Sequence, residues 1–536
     1  MKTLYLKPTE KDIKTAARII KRGGIVAFPT ETVYGLGGDA TDAGSAAKIY
    51  AAKGRPSDNP LIIHLSKAED AEKYAITNDI YYKLTDAFCP GPLTVILPKK
   101  DIIPPEVTGG LDTVAVRIPS HPVARAFIEA CGVAIAAPSA NRSGSPSPTG
   151  AEHVKADLDG KIDAIIDGGP CEIGLESTIV KLSGGCAVIL RPGAVTEEML
   201  SAVVAVRRDK SLYVKPDENT RPEAPGMKYR HYAPDVPVTL LKGPHNDVIG
   251  FMKNRLAEDE STGIICLESD KDAIRGKNAR YLPNDAKGQA NALFSLLRGF
   301  GETDAKRVYS VMPSRTGLGL AVCNRLTKAA GFSVEYVGVT IPVLGLTGQR
   351  GAGKSTVAAI LKERGAYVAD CDEIYHGMLY KNSPMVTELQ KYFPFAVADG
   401  VLDRPALAEA VFSDKDKLAL LNSVTHKVIL DEVRARLKKA QEQGYKFAVV
   451  DASQLFESGY DAECTAVIGV CAEQETRINR MILRDGISRQ KALSRISGQH
   501  NEDFFRVYCD EIIENGKDEE QLREAVARAV SKYIKE

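Results

Sequence analysis

The fold of the last third of the chain is decided by Gly348-Gln349-Arg350-Gly351-Ala352-Gly353-Lys354-Ser355. This octapeptide fits the pattern GxxxxGK[ST], whose glycines let backbone N–H groups converge on phosphate oxygens. Lys354 is then expected to reach the β- and γ-phosphates, and the Ser355 hydroxyl to bind Mg²⁺. A chance match is disfavoured, because a buried-strand pattern precedes the loop and a helical pattern follows it. The predicted ATP-binding residues of this section are Gly348, Gln349, Arg350, Gly351, Ala352, Gly353, Lys354, Ser355 and Thr356.

Two patterns that follow the loop carry candidate catalytic residues. The apolar run Tyr367-Val368-Ala369 ends at Asp370-Cys371-Asp372, and a carboxylate at the carboxyl end of such a strand lies near the phosphate site of an open α/β sheet. Asp372 is therefore expected to accept a proton from a substrate hydroxyl, with a helix N-cap as the alternative. Three arginines share one helical face and predict a lid that stabilises phosphoryl charge, unless they form a solvated basic face. These are Arg477, Arg480 and Arg484, and the candidate catalytic residues are Lys354, Asp372 and Arg484.

Length and composition set the broad class of the chain. Its 536 residues exceed what one hydrophobic core organises, so roughly two to four domains are expected. The 70 basic and 70 acidic residues cancel, so contact with nucleic acid or membrane would need a local patch. Ten cysteines without CxxC or Cys/His spacing indicate reduced, buried thiols. Since neither a signal peptide nor a run of about 18 apolar residues is found, a soluble cytoplasmic protein without membrane contact is expected.

Four segments can be separated along the chain. Residues 1–205 carry many short β-rich runs with helices between them, which is typical of α+β structure rather than strict βα alternation. Residues 206–235 are rich in charge and proline and predict a linker. Residues 236–339 predict a small Rossmann-like α/β domain, and residues 340–536 predict a P-loop NTPase domain with a parallel sheet.

The last segment resembles the dephospho-CoA kinase family over nearly all of residues 342–536. The resemblance implies that Asp372 lies at the ribose 3′-hydroxyl of dephospho-CoA, and that Arg404 and the Arg477–Arg484 helix contact phosphate. Besides the P-loop and the Asp370-x-Asp372 segment, the matching strings are Gly400-Val401-Leu402-Asp403-Arg404, Thr425-His426, Leu455-Phe456-Glu457, Arg484-Asp485-Gly486, Arg495-Ile496 with Gln499, and Ile513-Glu514-Asn515-Gly516.

One departure from that family concerns the acceptor site. The family's Pro-Leu-Leu-Phe-Glu stretch stands here as Ser453-Gln454-Leu455-Phe456-Glu457, which leads into this site. The alternative interpretation is therefore a degenerate kinase kept as a structural or docking module. The residues of the phosphate chemistry, Lys354, Ser355, Asp372 and Arg484, are retained and disfavour that alternative.

The first segment holds polar and glycine-rich strings at predicted strand ends. Such strings present hydroxyls, backbone amides and cations to a phosphate-bearing ligand, and ordinary turn chemistry is the alternative. Alone, they predict only a nucleotide or anion site. The strings are Pro29-Thr30-Glu31-Thr32-Val33-Tyr34-Gly35-Leu36-Gly37, Lys53-Gly54-Arg55-Pro56, Pro90-Gly91-Pro92-Leu93-Thr94 and Pro138-Ser139-Ala140-Asn141.

Together these strings resemble the YrdC-like domain of threonylcarbamoyl-AMP synthases over about residues 10–200. The resemblance implies a twisted-sheet α/β domain over residues 1–205, a linker over 206–235 that closes over the active site, and a companion domain over 236–339. Further matching strings are Asn59-Pro60-Leu61-Ile62-Ile63-His64, Val114-Ala115-Val116-Arg117-Ile118-Pro119, Ser145-Pro146-Ser147-Pro148-Thr149, Glu176-Ser177-Thr178-Ile179-Val180, Arg191-Pro192-Gly193, the linker residues 225–234 and the companion-domain residues 317–330.

The implied reaction forms L-threonylcarbamoyl-AMP from L-threonine, bicarbonate and ATP, releases pyrophosphate, and serves tRNA modification. It needs no protein nucleophile, so positioning and charge stabilisation would supply the catalysis. Threonine would be held by Thr32, His64, Arg117 and Ser177. ATP would be held by Lys53, Arg55, Asn59, Thr113, Ser139, Asn141, Ser147, Arg191 and Tyr232. The alternatives are a satisfied core histidine at 64, surface cations at 55 and 191, and solvated linker charge at Lys228, Arg230 and His231.

The sequence thus favours a fused bifunctional enzyme that uses ATP at both sites and Mg²⁺ as cofactor. An RNA-binding protein is the alternative from another class, because YrdC-like domains have a basic concavity and tRNA is the eventual acceptor. The balanced net charge disfavours RNA binding as the sole role. Expected partners besides the small substrates are tRNA or other threonylcarbamoylation proteins.

Overall fold

The computed structural model describes residues 2–209, 212, 222–225, 232–412, 414–497, 499–500, 502–516 and 518–534. Much of the predicted linker, including Lys228, Arg230 and His231, therefore lies outside the described residues. The chain divides into two units, one formed by Met1–Leu241 with Ile249–Glu335 and the other by Lys242–Val248 with Tyr336–Glu536. Three large sheets follow one another along the chain, of eleven, five and five strands.

The first sheet is mixed. Its eleven strands are β1 (Leu4–Leu6), β2 (Val26–Phe28), β3 (Gly35–Asp39), β4 (Ile62–His64), β5 (Leu93–Pro98), β6 (Thr113–Arg117), β7 (Ile135–Ala137), β8 (Ala164–Ile166), β9 (Thr178–Ser183), β10 (Cys186–Arg191) and β11 (Val206–Arg208). Seven helices accompany it: α1 (Glu10–Lys21), α2 (Ala43–Lys53), α3 (Asp79–Phe88), α4 (Pro105–Thr108), α5 (Pro122–Cys131), α6 (Ala151–Leu158) and α7 (Glu197–Ser201). The spatial order is β1-β8-β2-β3-β7-β4-β6-β5-β9-β10-β11, with parallel and antiparallel pairs intermixed. The predicted α+β organisation is confirmed.

Both faces of this sheet are covered at β2, which explains why that strand is apolar throughout. On β2, Ala27 packs into one core while its neighbours Val26 and Phe28 pack into a second core. Successive side chains of a strand point to opposite faces, so the two cores lie on the two sides of the sheet. The period-two polar pattern of a half-exposed strand is consequently absent from β2.

The second sheet belongs to the predicted companion domain and is largely parallel. Its strands are β12 (Val238–Lys242), β13 (Thr262–Leu267), β14 (Ala279–Leu282), β15 (Arg307–Val311) and β16 (Val334–Tyr336), and its helices are α8 (His245–Glu258), α9 (Ala286–Gly299) and α10 (Gly317–Ala329). The order is β14-β13-β15-β12-β16, and the first four of these pair in parallel. The core over α9 and α10 also contains Val33, Leu175 and Tyr232 from the preceding part of the chain. The first unit therefore contains an apolar core to which both of its segments contribute, besides the two cores that cover the faces of the first sheet.

The third sheet is wholly parallel, as the P-loop interpretation predicts. Its strands are β17 (Val343–Gly348), β18 (Tyr367–Asp370), β21 (Ala448–Asp451), β22 (Ala466–Cys471) and β23 (Glu511–Glu514), and a separate hairpin holds β19 (Val397–Ala398) and β20 (Val401–Leu402). Its helices are α11 (Lys354–Glu363), α12 (Cys371–Gly377), α13 (Pro384–Tyr392), α14 (Arg404–Phe412), α15 (Lys415–Glu442), α16 (Gln474–Asp485), α17 (Arg489–Ser497), α18 (Glu502–Tyr508) and α19 (Glu519–Val530). The order β18-β21-β17-β22-β23 places the carboxyl ends of all five strands at one edge.

Two further features of the described part of the chain concern its cysteines and its helices. All ten cysteines are free thiols. Within the ranges given above, no helix combines the length and the apolar character that crossing a bilayer requires.

Candidate active sites

The phosphate loop of the second unit connects the end of β17 to the start of α11. Gly351 and Gly353 lie in the left-handed region with φ of +81° and +93°, which side chains with a Cβ disfavour. A Cβ on Gly353 would also approach Asn515 Nδ2 to 2.2 Å. Asn515 Nδ2 donates to the Ala352 carbonyl oxygen at 2.7 Å and so holds the loop from the end of β23. The matching string at 513–516 contained Asn515, but the sequence did not reveal this contact.

A carboxylate faces the P-loop lysine. Asp451 ends β21 and forms an ion pair with Lys354 Nζ, and burial raises the pKa of Asp451 despite that neighbouring charge. The hydroxyl of Thr347, just before the loop, is buried and finds no hydrogen-bond partner among the described residues. Asp451 offers hard oxygen donors at a strand end, as does the aspartate with which a P-loop protein holds Mg²⁺. No cluster of three or more His, Cys, Asp or Glu suited to a metal occurs in the described ranges.

Asp370 and Asp372 have separate roles. Asp370 caps α12, because its carboxylate accepts from the backbone N–H groups of Asp372 and Glu373 at 2.9 and 3.0 Å. The capping role considered for Asp372 thus belongs to its neighbour. Asp372 instead lines a cavity of about 760 Å³ that reaches from the P-loop residue Arg350 to helix α15. This cavity is the candidate acceptor pocket.

The residues that depart from the kinase family lie in the wall of that pocket. Gln454 Oε1 and His426 Nε2 are 2.9 Å apart, which joins the loop after β21 to α15. Glu457 lies 3.1 Å from His500 Nε2. Burial opposes ionisation of the carboxyl, but the hydrogen bonds of His500 and the backbone, together with the charges of His500 and His426, lower the pKa of Glu457. Gln454 is thus accommodated by a specific hydrogen bond and does not disrupt the pocket.

The structure brings two of the three lid arginines to the P-loop. Arg480 on α16 donates to the Ala352 carbonyl oxygen at 3.1 Å. Arg477 is buried beside Gly351, and its Nε has no partner in the part of the chain that the structure describes. The side chain of Arg484 is 66% exposed and donates to Asp485 at 2.7 and 3.2 Å, so it lies away from the loop here. Its predicted catalytic role stays a prediction.

The first unit brings two of the predicted threonine-binding residues, Thr32 and His64, next to a third, the buried Arg117. Arg117 ends β6, and its Nη2 donates to Glu31 Oε1 at 2.7 Å and to Thr32 Oγ1 at 2.9 Å. Both members of the ion pair are buried, with side chains 5% and 6% exposed. Burial alone would raise the pKa of Glu31, but the charge and hydrogen bond of Arg117 hold it below its ordinary value. Arg117 Nε is buried and lacks a hydrogen-bond partner among the described residues.

His64 pairs with Arg117 in the strand register and stays neutral. Burial, with the Arg117 charge adding to it, lowers the pKa of His64 to about 3. Its Nδ1 lies 3.1 and 3.3 Å from the carbonyl oxygens of Ile62 and Ile135, so Nδ1 carries the hydrogen and Nε2 keeps a lone pair. The core-histidine alternative accounts for Nδ1, which bonds backbone carbonyl oxygens. It does not account for Nε2, which is able to accept a hydrogen bond.

Ser177 and Arg191 form a second contact set. Arg191 Nη2 donates to Ser177 Oγ at 3.1 Å, and its Nε donates to the Ser177 carbonyl oxygen at 3.0 Å. Ser177 Oγ also lies 2.7 Å from Thr94 Oγ1. Burial lowers the pKa of Arg191 to about 10, so Arg191 is a buried, charged group and not a surface cation.

Lys53, Ser139 and Asn141 form a compact network. Lys53 Nζ donates to the carbonyl oxygens of Ser139 and Asn141 at 2.5 and 2.6 Å, and Ser139 Oγ donates to Asn141 Oδ1 at 2.5 Å. Complete burial shifts the pKa of Lys53 well below its ordinary value. The lysine therefore braces the loop after β7 in this structure.

The remaining predicted ATP residues of the first segment are less closely connected. Arg55 Nη2 donates to the carbonyl oxygens of Asn59 and Pro60 at 3.2 and 3.1 Å, which stiffens the loop between α2 and β4. Asn59 Oδ1 is buried and has no hydrogen-bond partner within the described ranges. Thr113 begins β6, at the opposite end of this strand from Arg117.

A buried carboxylate connects the ATP residues to the companion domain. Glu176 accepts from Ser147 Oγ at 2.5 Å and from Arg325 Nε at 2.8 Å. Burial opposes its ionisation, but the charges of Arg325 and Arg191 lower the pKa of Glu176 to about 2. Tyr232, at a φ of +64°, places its ring 5.7 Å from the Arg325 guanidinium carbon. The sequence patterns predicted no role for Glu31, Glu176 or Arg325, although all three are charged residues within the matching strings.

Three family profiles match the chain. Residues 18–193 match the Sua5/YciO/YrdC profile, described as "Telomere recombination". Residues 195–331 match "Threonylcarbamoyl-AMP synthase, C-terminal domain", and residues 342–521 match "Dephospho-CoA kinase".

Similar proteins divide in the same way. The threonylcarbamoyl-AMP synthase of Bacillus subtilis is 42% identical over 61% of this chain and 95% of its own length, and that of Pyrococcus abyssi is 44% identical over 61% and 96%. The dephospho-CoA kinase of Carboxydothermus hydrogenoformans is 32% identical over 36% of this chain and 96% of its own. A crystal structure of P. abyssi Sua5 complexed with L-threonine has a TM-score of 0.59 and 41% identity, and covers 63% of this chain and 100% of that one.

Proposed function

Because the chain belongs to the threonylcarbamoyl-AMP synthase family over residues 18–193 and 195–331 and to the dephospho-CoA kinase family over residues 342–521, we propose that it is a bifunctional enzyme. Both families consist of enzymes that use ATP. The first activity forms L-threonylcarbamoyl-AMP from L-threonine, bicarbonate and ATP, with release of pyrophosphate, for tRNA modification. The second phosphorylates the ribose 3′-hydroxyl of dephospho-CoA. The domain boundaries proposed for this division are 1–205, 206–235, 236–339 and 340–536.

The observation that best supports threonine as substrate is the buried guanidinium of Arg117. Glu31 and Thr32 fix this group through Nη2, while Nε has no hydrogen-bond partner among the described residues. A guanidinium held in this way suits the carboxylate of an amino acid. We assign Nε2 of the neutral His64 to accept a hydrogen bond from the amine or hydroxyl of threonine, and Ser177 to complete the pocket.

The synthase chemistry then depends on positioning. Threonine's amine takes up CO₂ as a carbamate, a carbamate oxygen attacks the α-phosphorus of ATP, and pyrophosphate leaves. Fixed cations such as Arg191 would stabilise the charge that develops on phosphate. Tyr232 would border the nucleotide, and residues 226–231 of the predicted closing linker lie outside the described residues. The nucleotide residues proposed for this site are Lys53, Arg55, Asn59, Thr113, Ser139, Asn141, Ser147, Arg191 and Tyr232.

The kinase chemistry is proposed for the cavity beside the P-loop. Asp372 would accept the proton of the ribose 3′-hydroxyl, and Lys354 would contact the β- and γ-phosphates. Ser355 and Asp451 are the proposed ligands of Mg²⁺, which would neutralise phosphate charge when bound. Arg477 and Arg480 lie at the loop already, and Arg484 would join them if the lid closes over ATP.

Two parallel reactions test this proposal. The protein is incubated with ATP and Mg²⁺, once with threonine and bicarbonate and once with dephospho-CoA. We expect pyrophosphate from the first reaction and ADP from the second, and Lys354→Ala should abolish only the ADP. A folded sample without pyrophosphate release contradicts the synthase assignment, and salt-dependent RNA affinity in that sample would favour an RNA-binding protein. A sample without ADP would favour a degenerate kinase, the alternative that Ser453-Gln454 motivates.

A further inference from the structure

A buried ion pair joins the companion domain to the synthase site. Arg325 on α10 is completely buried and donates to Glu176 twice, from Nε to Oε2 at 2.8 Å and from Nη2 to the carbonyl oxygen at 3.4 Å. We propose that Arg325 is a positioning residue for the ATP subsite of the synthase, and that it acts through the Glu176 carboxylate on Ser147 and Tyr232. The inference rests on the proposed synthase function and names no contact between Arg325 and substrate.

Arg325 can influence this subsite through two residues, Ser147 and Tyr232. The second oxygen of Glu176 accepts from Ser147 Oγ at 2.5 Å, so fixing the carboxylate also fixes the serine. The ring of Tyr232 lies 5.7 Å from the Arg325 guanidinium carbon. It also stacks on Phe294 of α9 at a centroid distance of 5.1 Å. Side chains of α9 and α10 therefore contact Tyr232 directly and Ser147 through Glu176.

Mere attachment of the companion domain does not require this arrangement. A buried ion pair adds little stability over apolar packing of the same volume, because both charges must be desolvated. The shared core already buries Val33 and Leu175 against the companion helices, and Asn291 donates to the Cys171 and Glu172 carbonyl oxygens at 3.1 and 2.8 Å. Arg325, Glu176 and Ser147 form a chain of hydrogen bonds that ends at a hydroxyl proposed to bind ATP. Orientation of this hydroxyl explains the chain better than stabilisation of the domain contact does.

The charge of the region fits a polyphosphate. Lys328 lies one turn beyond Arg325 on α10, and burial, with the charges of Arg325 and Arg191 adding to it, lowers the pKa of Lys328 to about 7. Arg191, Arg325 and Lys328 each interact electrostatically with the Glu176 carboxylate. An anionic triphosphate would add negative charge beside these basic groups and favour their protonated forms.

The test compares Arg325→Lys and Arg325→Met with the matched control Asn291→Ala, which removes other hydrogen bonds between the same two domains. Melting temperature, kcat, and the KM values for ATP and threonine are measured in the full chain. We expect Arg325→Met to raise the KM for ATP by about tenfold or more, which corresponds to about 1.4 kcal/mol, with Arg325→Lys in between. The KM for threonine in these variants, and all constants of Asn291→Ala, should change by less than about twofold.

Each possible outcome decides the inference. An unchanged KM for ATP in folded Arg325 variants overturns it, as does an equal effect of Asn291→Ala. Loss of Arg325 leaves the buried Glu176 carboxylate without its ion-pair partner, which can prevent folding of Arg325→Met. In that case the comparison uses Arg325→Lys and the double variant Glu176→Gln with Arg325→Met. If the wild-type chain releases no pyrophosphate, the proposed function fails. Calorimetric binding of ATP to wild type and Arg325→Lys then still tests the positioning role.

Discussion

Replacing Arg117 by lysine isolates the feature on which the threonine assignment depends. The substitution keeps the positive charge beside Glu31 but removes the planar fork of donors. In the present geometry one nitrogen serves Glu31 and Thr32, and Nε is left for a ligand. A lysine ammonium carries its three donors on one freely rotating nitrogen, so it lacks the second nitrogen, at a fixed distance from the first, that Nε of Arg117 offers to the carboxylate of threonine.

The size of the effect follows from the lost hydrogen bond. A hydrogen bond to a charged group contributes about 1.5–3 kcal/mol, and about 1.4 kcal/mol corresponds to a tenfold change in affinity. The KM for threonine should therefore rise roughly 10- to 150-fold in Arg117→Lys. The KM for ATP should change much less, because the Arg117 guanidinium contacts the Glu31 and Thr32 side of the pocket.

The assay is the rate of pyrophosphate release over a range of threonine concentrations, with ATP and bicarbonate saturating. Arg125→Lys serves as the control, because Arg125 is an exposed arginine on the neighbouring helix α5. Thermal unfolding is followed in parallel, since the partner carboxylate of Arg117 is buried. A folded Arg117→Lys enzyme whose KM for threonine stays within about twofold of wild type would refute the assignment.

Three further outcomes are expected. Asp372→Asn should lower the rate of ADP formation with dephospho-CoA by about 10²- to 10⁴-fold while ATP still binds; a rate near wild type would exclude Asp372 as the proton acceptor. The depressed pKa of His64 contributes stability that is complete above about pH 6.5 and is lost as pH falls toward about 3. Between pH 7 and pH 5 this loss is about 2 kcal/mol, so urea unfolding of His64→Gln should show a correspondingly flatter pH dependence, and an equal slope would contradict a neutral buried histidine. Gln454→Leu should lower the KM for dephospho-CoA roughly 2- to 10-fold, because it removes an amide that the acceptor must desolvate; loss of activity would instead show that the bond to His426 is required.

Local patterns in the sequence predict the parts of the fold that short stretches of residues determine. The P-loop and its flanking strand and helix follow from one octapeptide, and the parallel third sheet follows from its apolar runs. The first sheet was predicted only as α+β, because many of its strands are three residues long and its strand order does not follow the chain.

The sequence patterns could not predict contacts between side chains that lie far apart along the chain. Asn515 bonds a loop residue 163 positions earlier, and Arg325 bonds Glu176 across 149 positions. Arg484 was grouped with Arg477 and Arg480 by helical periodicity alone. Periodicity does not reveal that Asp485 is available to hold Arg484 at the exposed end of α16.

The core that the two segments of the first unit share has a consequence for the design of recombinant fragments. Val33 and Leu175, which belong to the synthase segment, are buried among side chains of α9 and α10. A recombinant fragment that stops at residue 205 would expose these apolar groups to water, and such surfaces promote aggregation. Fragments meant to retain synthase activity should therefore extend to about Glu335, where the first unit ends.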